Sequence, residues 1–206
     1  DSKGRETLVE GLRFVSRNNV HRMGVKLYMT PLNYSGIVEV ESIIDGSIIN
    51  FYDAPRFKVK HTYMTANEKL AEDGGYVEVA TREKHLHVGC GCRIEAYCDG
   101  KQILGNRMTS VFGEQNIEFG DIHVEEGKEV QIVKYVSMYS ERECPTYELH
   151  STIKKEIEGF VHTGFENELK LHEEVYHNMW ENADIKITGD DDLNRAVRFN
   201  IFHLMS

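Results

Sequence analysis

The chain has 206 residues, 34 acidic and 24 basic, for a formal net charge of -10. That charge disfavours nucleic acid and anionic membrane as partners, because both would repel it, and it leaves neutral ligands such as sugars open. A hydrophobic content of 40% and a charged content of 28% are those of a soluble globular protein, long enough for one sizeable domain or one domain with a small appendage.

No apolar run approaches the length of a membrane span. The opening DSKGRETLVEG has no apolar core of the signal-peptide kind. The four cysteines, Cys90, Cys92, Cys98 and Cys144, form neither a C-x-x-C motif nor a disulfide-dense pattern. That usage favours a reducing cytoplasm.

Residues 11 to about 140 read as strands. In VKLYM (25–29), Val25, Leu27 and Met29 alternate with polar or amphipathic neighbours. In GIVEVES, Val38 and Val40 alternate with Glu39 and Glu41, and YVEVATR puts Val77 and Val79 on one face. Period-two alternation marks half-buried strands of an antiparallel sheet. HLHVGCGCRIEAYCDG is the longest case, with Leu86, Val88, Cys90, Cys92, Ile94, Ala96 and Cys98 on one apolar face. Its other face, from His85 and His87 to Arg93, Glu95 and Tyr97, reads as solvated. Gly89 and Gly91 predict a bend or a close backbone approach.

Asp45-Gly46, Asp73-Gly74-Gly75, Asp99-Gly100 and Glu126-Gly127 are turn signals. Pro31 and Pro55 fit strand ends or loops, since proline cannot serve a central ladder. Long strands, hairpin turns and little helical periodicity predict a mainly β fold, an antiparallel β-sandwich.

The pattern changes near Pro145, which fits a helix start. Leu149, Ile153, Ile157, Phe160 and Val161 follow helical spacing, and Gly164 fits the helix end. Thr163-Gly-Phe-Glu166 has the form of a capping box for a second helix. That helix carries the stripe Phe165, Leu169, His172, Tyr176, Met179/Trp180 and Ala183. DIKITG (184–189) reads as a short strand or extended link. Asp190, Asp191 and Asp192 then supply an N-cap and negative charge to a last helix. Its stripe of Leu193, Val197, Ile201 and Leu204 is widened by Ala196, Phe199, Phe202 and Met205. Only Asp191, Asn194, Arg195 and Arg198 make a polar side. So apolar a helix requires neighbours on more than one side, which predicts that the chain is part of something larger.

Several groups resemble sites, and each has a plainer structural reading. Cys90, Cys92 and Cys98 suggest a metal or redox cluster, but their apolar face makes them core residues. His85 and His87, two apart on a strand, could share a metal ion, yet no third ligand is near in sequence. The pairs Glu173-Glu174, Glu125-Glu126 and the triplet Asp190 to Asp192 are adjacent in sequence. Glycoside chemistry instead needs carboxylates on opposite sides of the scissile bond. His172 and Trp180 fit packing at a helix–sandwich or helix–barrel interface, with Trp180 near a sugar cleft as the alternative. No P-loop, nucleophile elbow, dinucleotide fingerprint or H-E-x-x-H is present. The residues by themselves assign no catalytic, substrate-binding or metal site.

Four stretches resemble glycoside hydrolase family 65, the inverting disaccharide phosphorylases acting on maltose, trehalose, kojibiose or nigerose. They are RFVSRNNVHRMGVKLYMTPLNYSGIVEVESIIDGSIIN (13–50), VQIVKYVSMYSERE (130–143), GFENELKLHEEVYHNMWENADIKITGD (164–190) and RAVRFNIFHLMS (195–206). Tyr176 departs from the pattern, standing where many members carry a second Trp. His203, in Phe202-His203-Leu204, leans away from the maltose-type members.

The resemblance implies an architecture. Residues 1–143 would be the later strands of a large super-sandwich, 144–183 a helical linker, and 184–206 the start of an (α/α) barrel. The general-acid Glu and the phosphate-binding residues would lie in the barrel, outside this chain, so no catalytic residue is carried over. It also implies an α-linked disaccharide and inorganic phosphate as substrates, no cofactor, and a homodimer for the full-length protein. Phosphate would attack the anomeric carbon while a protonated Glu donates to the leaving oxygen, giving β-glucose 1-phosphate with inversion. The rival expectations are a free-standing carbohydrate-binding or oligomerisation module and, more remotely, a true hydrolase of related architecture.

Overall fold

The computed structural model describes residues 2–49, 60–71 and 73–205. Pro55 lies outside them. Among the described residues, ten strands are followed by three α-helices. The strands are β1 (Thr7–Val15), β2 (Arg22–Pro31), β3 (Gly36–Asp45), β4 (Thr62–Lys69) and β5 (Gly75–Thr81). They continue with β6 (His87–Cys98), β7 (Lys101–Gln102), β8 (Gly105–Phe112), β9 (Gln115–Val124) and β10 (Val130–Ser140). The helices are α1 (Leu149–Thr163), α2 (Phe165–Ala183) and α3 (Asp191–Met205).

The fold is mainly β and antiparallel, as the alternation predicts. A large sheet runs β1-β2-β10-β6-β5-β4, with β7 added to β6. A smaller sheet runs β3-β9-β8 and covers one face of the large one. Met29, Ala96, Ile122, Val124, Val130 and Ile132 form the core between the sheets.

The other face of the large sheet is also buried, contrary to the expectation of one solvated side. There α1 lays Ile153, Ile157 and Phe160 on Tyr76, Val133 and Tyr135, with Phe14 and Phe165 closing the layer. This explains why β5 is buried along both faces from Gly75 to Glu78. It also gives Gly89 and Gly91 of β6 their role as a close approach. A Cβ at Gly91 would lie 2.5 Å from Ile153 Cγ2, and one at Gly89 2.8 Å from Ile153 Cδ1. The two glycines form the slot in which the helix side chain rests.

Turn chemistry acts where expected. Asp99 (φ 49°) and Gly100 (φ 74°) take the left-handed conformations of a tight hairpin between β6 and β7. Pro31 ends β2. Pro145 caps a short 3-10 turn, Thr146–Glu148, that leads into α1.

The capping box at Thr163 does not form. Thr163 stays in the last turn of α1, where its hydroxyl donates to the Gly159 carbonyl at 2.9 Å. Glu166 reaches instead to Lys26, 2.6 Å away. Gly164 at φ 81° breaks the two helices apart, so Thr163 never adopts the extended geometry that a cap requires. The first strand also begins earlier than expected, at Thr7. DIKITG forms no strand; it is an extended link in which the Ile187 N–H is bonded by Asn194 at 3.1 Å.

Candidate functional site

The three-residue spacing from Phe165 to Glu168 puts both on the inward side of α2, and they are its only buried residues. Glu168 enters a polar node built by the β1–β2 turn. Ser16 donates to its Oε1 at 2.6 Å, and Arg22 Nη1 pairs with its Oε2 at 2.6 Å. Asn18 adds a longer bond at 3.3 Å. The same guanidinium bonds Glu156 of α1 at 2.7 Å through Nε. Glu156 also accepts from Asn19 at 2.8 Å and from the Tyr139 hydroxyl of β10 at 3.2 Å. Burial works against the charge on Glu168, but Ser16, Arg22 and Asn18 outweigh it and hold its pKa below the ordinary carboxylate value.

Beyond this node α2 lifts off the sandwich and a groove opens. It holds about 590 Å³ and is lined by Arg13, Phe14, His172, Tyr176, Trp180 and Phe202 among others. His172 stands between Phe14 and Tyr176, tilted to the first and edge-on to the second, at 5.3 and 4.9 Å between ring centres. It accepts the Arg17 main-chain N–H at 3.2 Å, and burial lowers its pKa. Trp180 lies under the Arg198 guanidinium at 5.5 Å.

The last helix is capped as expected. Asp190 accepts the Leu193 N–H at 2.9 Å. Its packing is sparse: none of its described residues is buried, and Phe199 is 61% and Leu204 87% exposed. Its polar side touches α2 and the link, through the Arg198–Asp184 pair at 2.9 Å.

The other candidate residues stay apart. Cys92 is buried among core residues, its Sγ 3.5 Å from Ser42 Oγ, and burial pushes the Cys90 thiol up to about 12. Cys98 packs against the inter-sheet core. All four cysteines are free thiols. His85 lies before β6 at φ 53° and bonds Tyr63 at 3.0 Å, while His87 pairs with Glu78 at 2.7 Å. They share neither a strand face nor a ligand. Glu125 pairs with Lys128 in an exposed turn at 2.7 Å, and Glu174 meets Lys170 at 4.0 Å. Among the described residues no cluster of three or more His, Cys, Asp or Glu is placed to hold a metal.

Sequence reasoning overlooked the Arg22–Glu168 node. Its signal was present: Ser16-Arg-Asn-Asn19 is a polar run between two apolar strands, and Glu168 interrupts an apolar helix face.

The sequence matches the model of the glycosyl hydrolase family 65 N-terminal domain over residues 1–179. A kojibiose phosphorylase of Thermoanaerobacter brockii is 40% identical over all of this chain and 27% of its own length. The α,α-trehalose phosphorylase of the same organism is 28% identical over 94% of this chain and 25% of its own. A putative kojibiose phosphorylase from the human microbiome shares the fold, with a TM-score of 0.82 at 12% identity, over 97% of this chain and 25% of that structure. The chain thus spans about a quarter of the length of these relatives. Its strands, its helices and its sequence agree, and the chain belongs to glycosyl hydrolase family 65 through that family's N-terminal domain.

Proposed function

We propose that this chain is the non-catalytic scaffold of an inverting disaccharide phosphorylase. In this reading residues 1–143 are the sandwich, 144–183 the linker and 184–206 the first helix of an (α/α) barrel. The observation that carries it is the 40% identity to a kojibiose phosphorylase along the whole chain. The exposed apolar surface of α3 supports it, because such a helix finds its missing neighbours in a barrel of paired helices.

The whole protein would act on an α-linked glucose disaccharide and inorganic phosphate. Phosphate is already an anionic nucleophile, so one general acid suffices and no base need activate a water. That acid and the phosphate site would lie in the barrel, leaving this chain without a catalytic residue and inactive alone. The whole protein would be a cytoplasmic homodimer.

An assay with kojibiose, trehalose and maltose plus phosphate tests the reading. The full-length protein should release β-glucose 1-phosphate from one of them, and residues 1–206 should release none. Turnover by the isolated chain, or hydrolysis to free glucose by the whole protein, would overturn it. The aromatic lining of the groove at Tyr176, Trp180 and Phe202 favours a second reading, a sugar-binding module. That reading expects a monodisperse chain with measurable disaccharide affinity, whereas the scaffold reading expects association through α3.

A further inference from the structure

Of the 19 residues of α2, only Phe165 and Glu168 are buried. Leu169 packs partly buried against the same core and Glu166 pairs with Lys26 at 2.6 Å, but one aromatic ring and one carboxylate are all of the helix that is fully enclosed. Phe165 meets Phe14 edge-on at 5.2 Å, one of the arrangements that aromatic rings prefer. Glu168 is different. Its side chain is 0% exposed, and each oxygen has a directed donor: Ser16 at 2.6 Å on one, Arg22 at 2.6 Å on the other. Arg22 also bonds Glu156 at 2.7 Å, and its guanidinium lies 5.3 Å above the Phe160 ring. One side chain of β2 thereby ties a carboxylate of each helix to the sheet.

The node also reaches the last helix. Arg17, in the same turn, donates its main-chain N–H to His172 at 3.2 Å, and its side chain bonds the Tyr176 hydroxyl and the Met205 carbonyl. A buried ion pair contributes little net stability compared with a packed apolar pair of equal volume, but it is far more demanding in geometry. Here it joins a helix with a single buried apolar side chain, Phe165.

We propose that Arg22 and Glu168 are positioning residues: a latch that sets the angle at which the helices leave the sandwich, and with it the placement of the barrel. This rests on the scaffold reading above. If the latch sets geometry, loosening it moves catalytic groups that this chain does not carry, and displacements near 1 Å cost roughly a hundredfold in rate.

The test uses the full-length protein with Glu168→Gln, the charge-free pair Arg22→Met/Glu168→Leu made together with Glu156→Gln so that no carboxylate loses its cation, and the milder Ser16→Ala in case the others fail to fold. Glu174→Gln, on the exposed side of α2, is the control. Hydrogen exchange should rise across 165–205 in the latch variants, while β6 and β10 stay protected as in the parent. The kcat for phosphorolysis should fall roughly ten- to a hundredfold in the charge-free pair, with its melting temperature retained. Arg22→Lys, which keeps the charge but cannot serve both carboxylates through one planar group, should restore only part of the loss. Unchanged exchange at 165–205, or a folded charge-free pair with the parent's kcat, would overturn the latch. If the parent itself shows no phosphorolysis, the scaffold reading fails, and the exchange measurement still decides the latch.

Discussion

Glu118, on β9, accepts the main-chain N–H of Ile94, on β6, at 3.0 Å across the gap between the two sheets. Its partner Arg107 donates to the Ile94 carbonyl at 2.9 Å and to Glu118 at 2.8 Å. At this point β6 has no neighbour on that edge. Its pairing with β5 ends at Gly75–Cys92, and its pairing with β7 starts at Tyr97. The ion pair takes the place of a strand, supplying one donor and one acceptor to a peptide that would otherwise be buried unpaired.

Glu118→Ala should therefore cost about 1–3 kcal/mol, because it leaves the buried Ile94 N–H without an acceptor, while Arg107 keeps Asp73 at 3.2 Å. Urea unfolding measures this, and Glu118→Gln should cost less by keeping an acceptor for Ile94. A loss below about 1 kcal/mol for the Ala variant would show that water replaces the carboxylate.

The pH dependence of Glu118 has a definite sign. Burial raises its pKa above the ordinary carboxylate value, against the pull of Arg107 and the Ile94 N–H. The folded state thus holds this proton to higher pH than the unfolded state does. Its contribution to stability is fullest below the unfolded pKa and falls as pH rises through the raised value. A series of unfolding free energies against pH should show this fall in the parent and lack it in Glu118→Gln.

Glu168 has the opposite sign. Its pKa is depressed, so its contribution is present above the unfolded value and is lost as pH falls through the folded one. Arg22→Ala should remove about 3–5 kcal/mol near neutrality by leaving Glu168 buried and unpaired. The same variant should show a shallower acid limb. A parallel acid limb would place the acid sensitivity on other depressed carboxylates, such as Glu78, where Tyr76, His87 and Thr65 outweigh the cost of burial.

Gly91 and Ile153 form a steric pair. Gly91→Ala places a methyl 2.5 Å from Ile153 Cγ2, with Leu70 and Ile157 leaving little room to yield. Overpacking of this kind costs about 1–3 kcal/mol. Ile153→Ala should offset part of that cost in the double variant, giving a measurable coupling in a mutant cycle.

Leu204→Glu and Phe199→Glu act on the exposed face of α3. In residues 1–206 they should leave the melting temperature unchanged and reduce association in light scattering. In the full-length protein the same changes should destabilise, since the scaffold reading buries that face.

The strands, the three helices and the Asp190 cap were legible in the sequence because each is a local signal. Alternation sets a strand, 3.6-residue spacing sets a helix, and a carboxylate before a helix finds its free N–H groups. The Cys90–Cys92–Cys98 face was legible for the same reason. The solvated reading of the opposite β6 face failed because Gly89 and Gly91 have no hydropathy to speak of. The close approach at these glycines was legible, but not that Ile153 of a helix makes it and covers that face. The capping box failed because Thr163 and Glu166 each had a competitor, the Gly159 carbonyl and Lys26.

By itself, the sequence determined the mainly β fold class, the family membership and the apolar excess of the last helix. These depend on residue order and periodicity, which need no distant contact. Only the tertiary structure decided where the polar work is done. Arg22 and Glu168 are 146 residues apart, and Glu118 and Ile94 belong to different sheets. No local pattern tells a solvated carboxylate from one that desolvation and a single arginine hold in place. That distinction arises when the layers close and water is removed from between them.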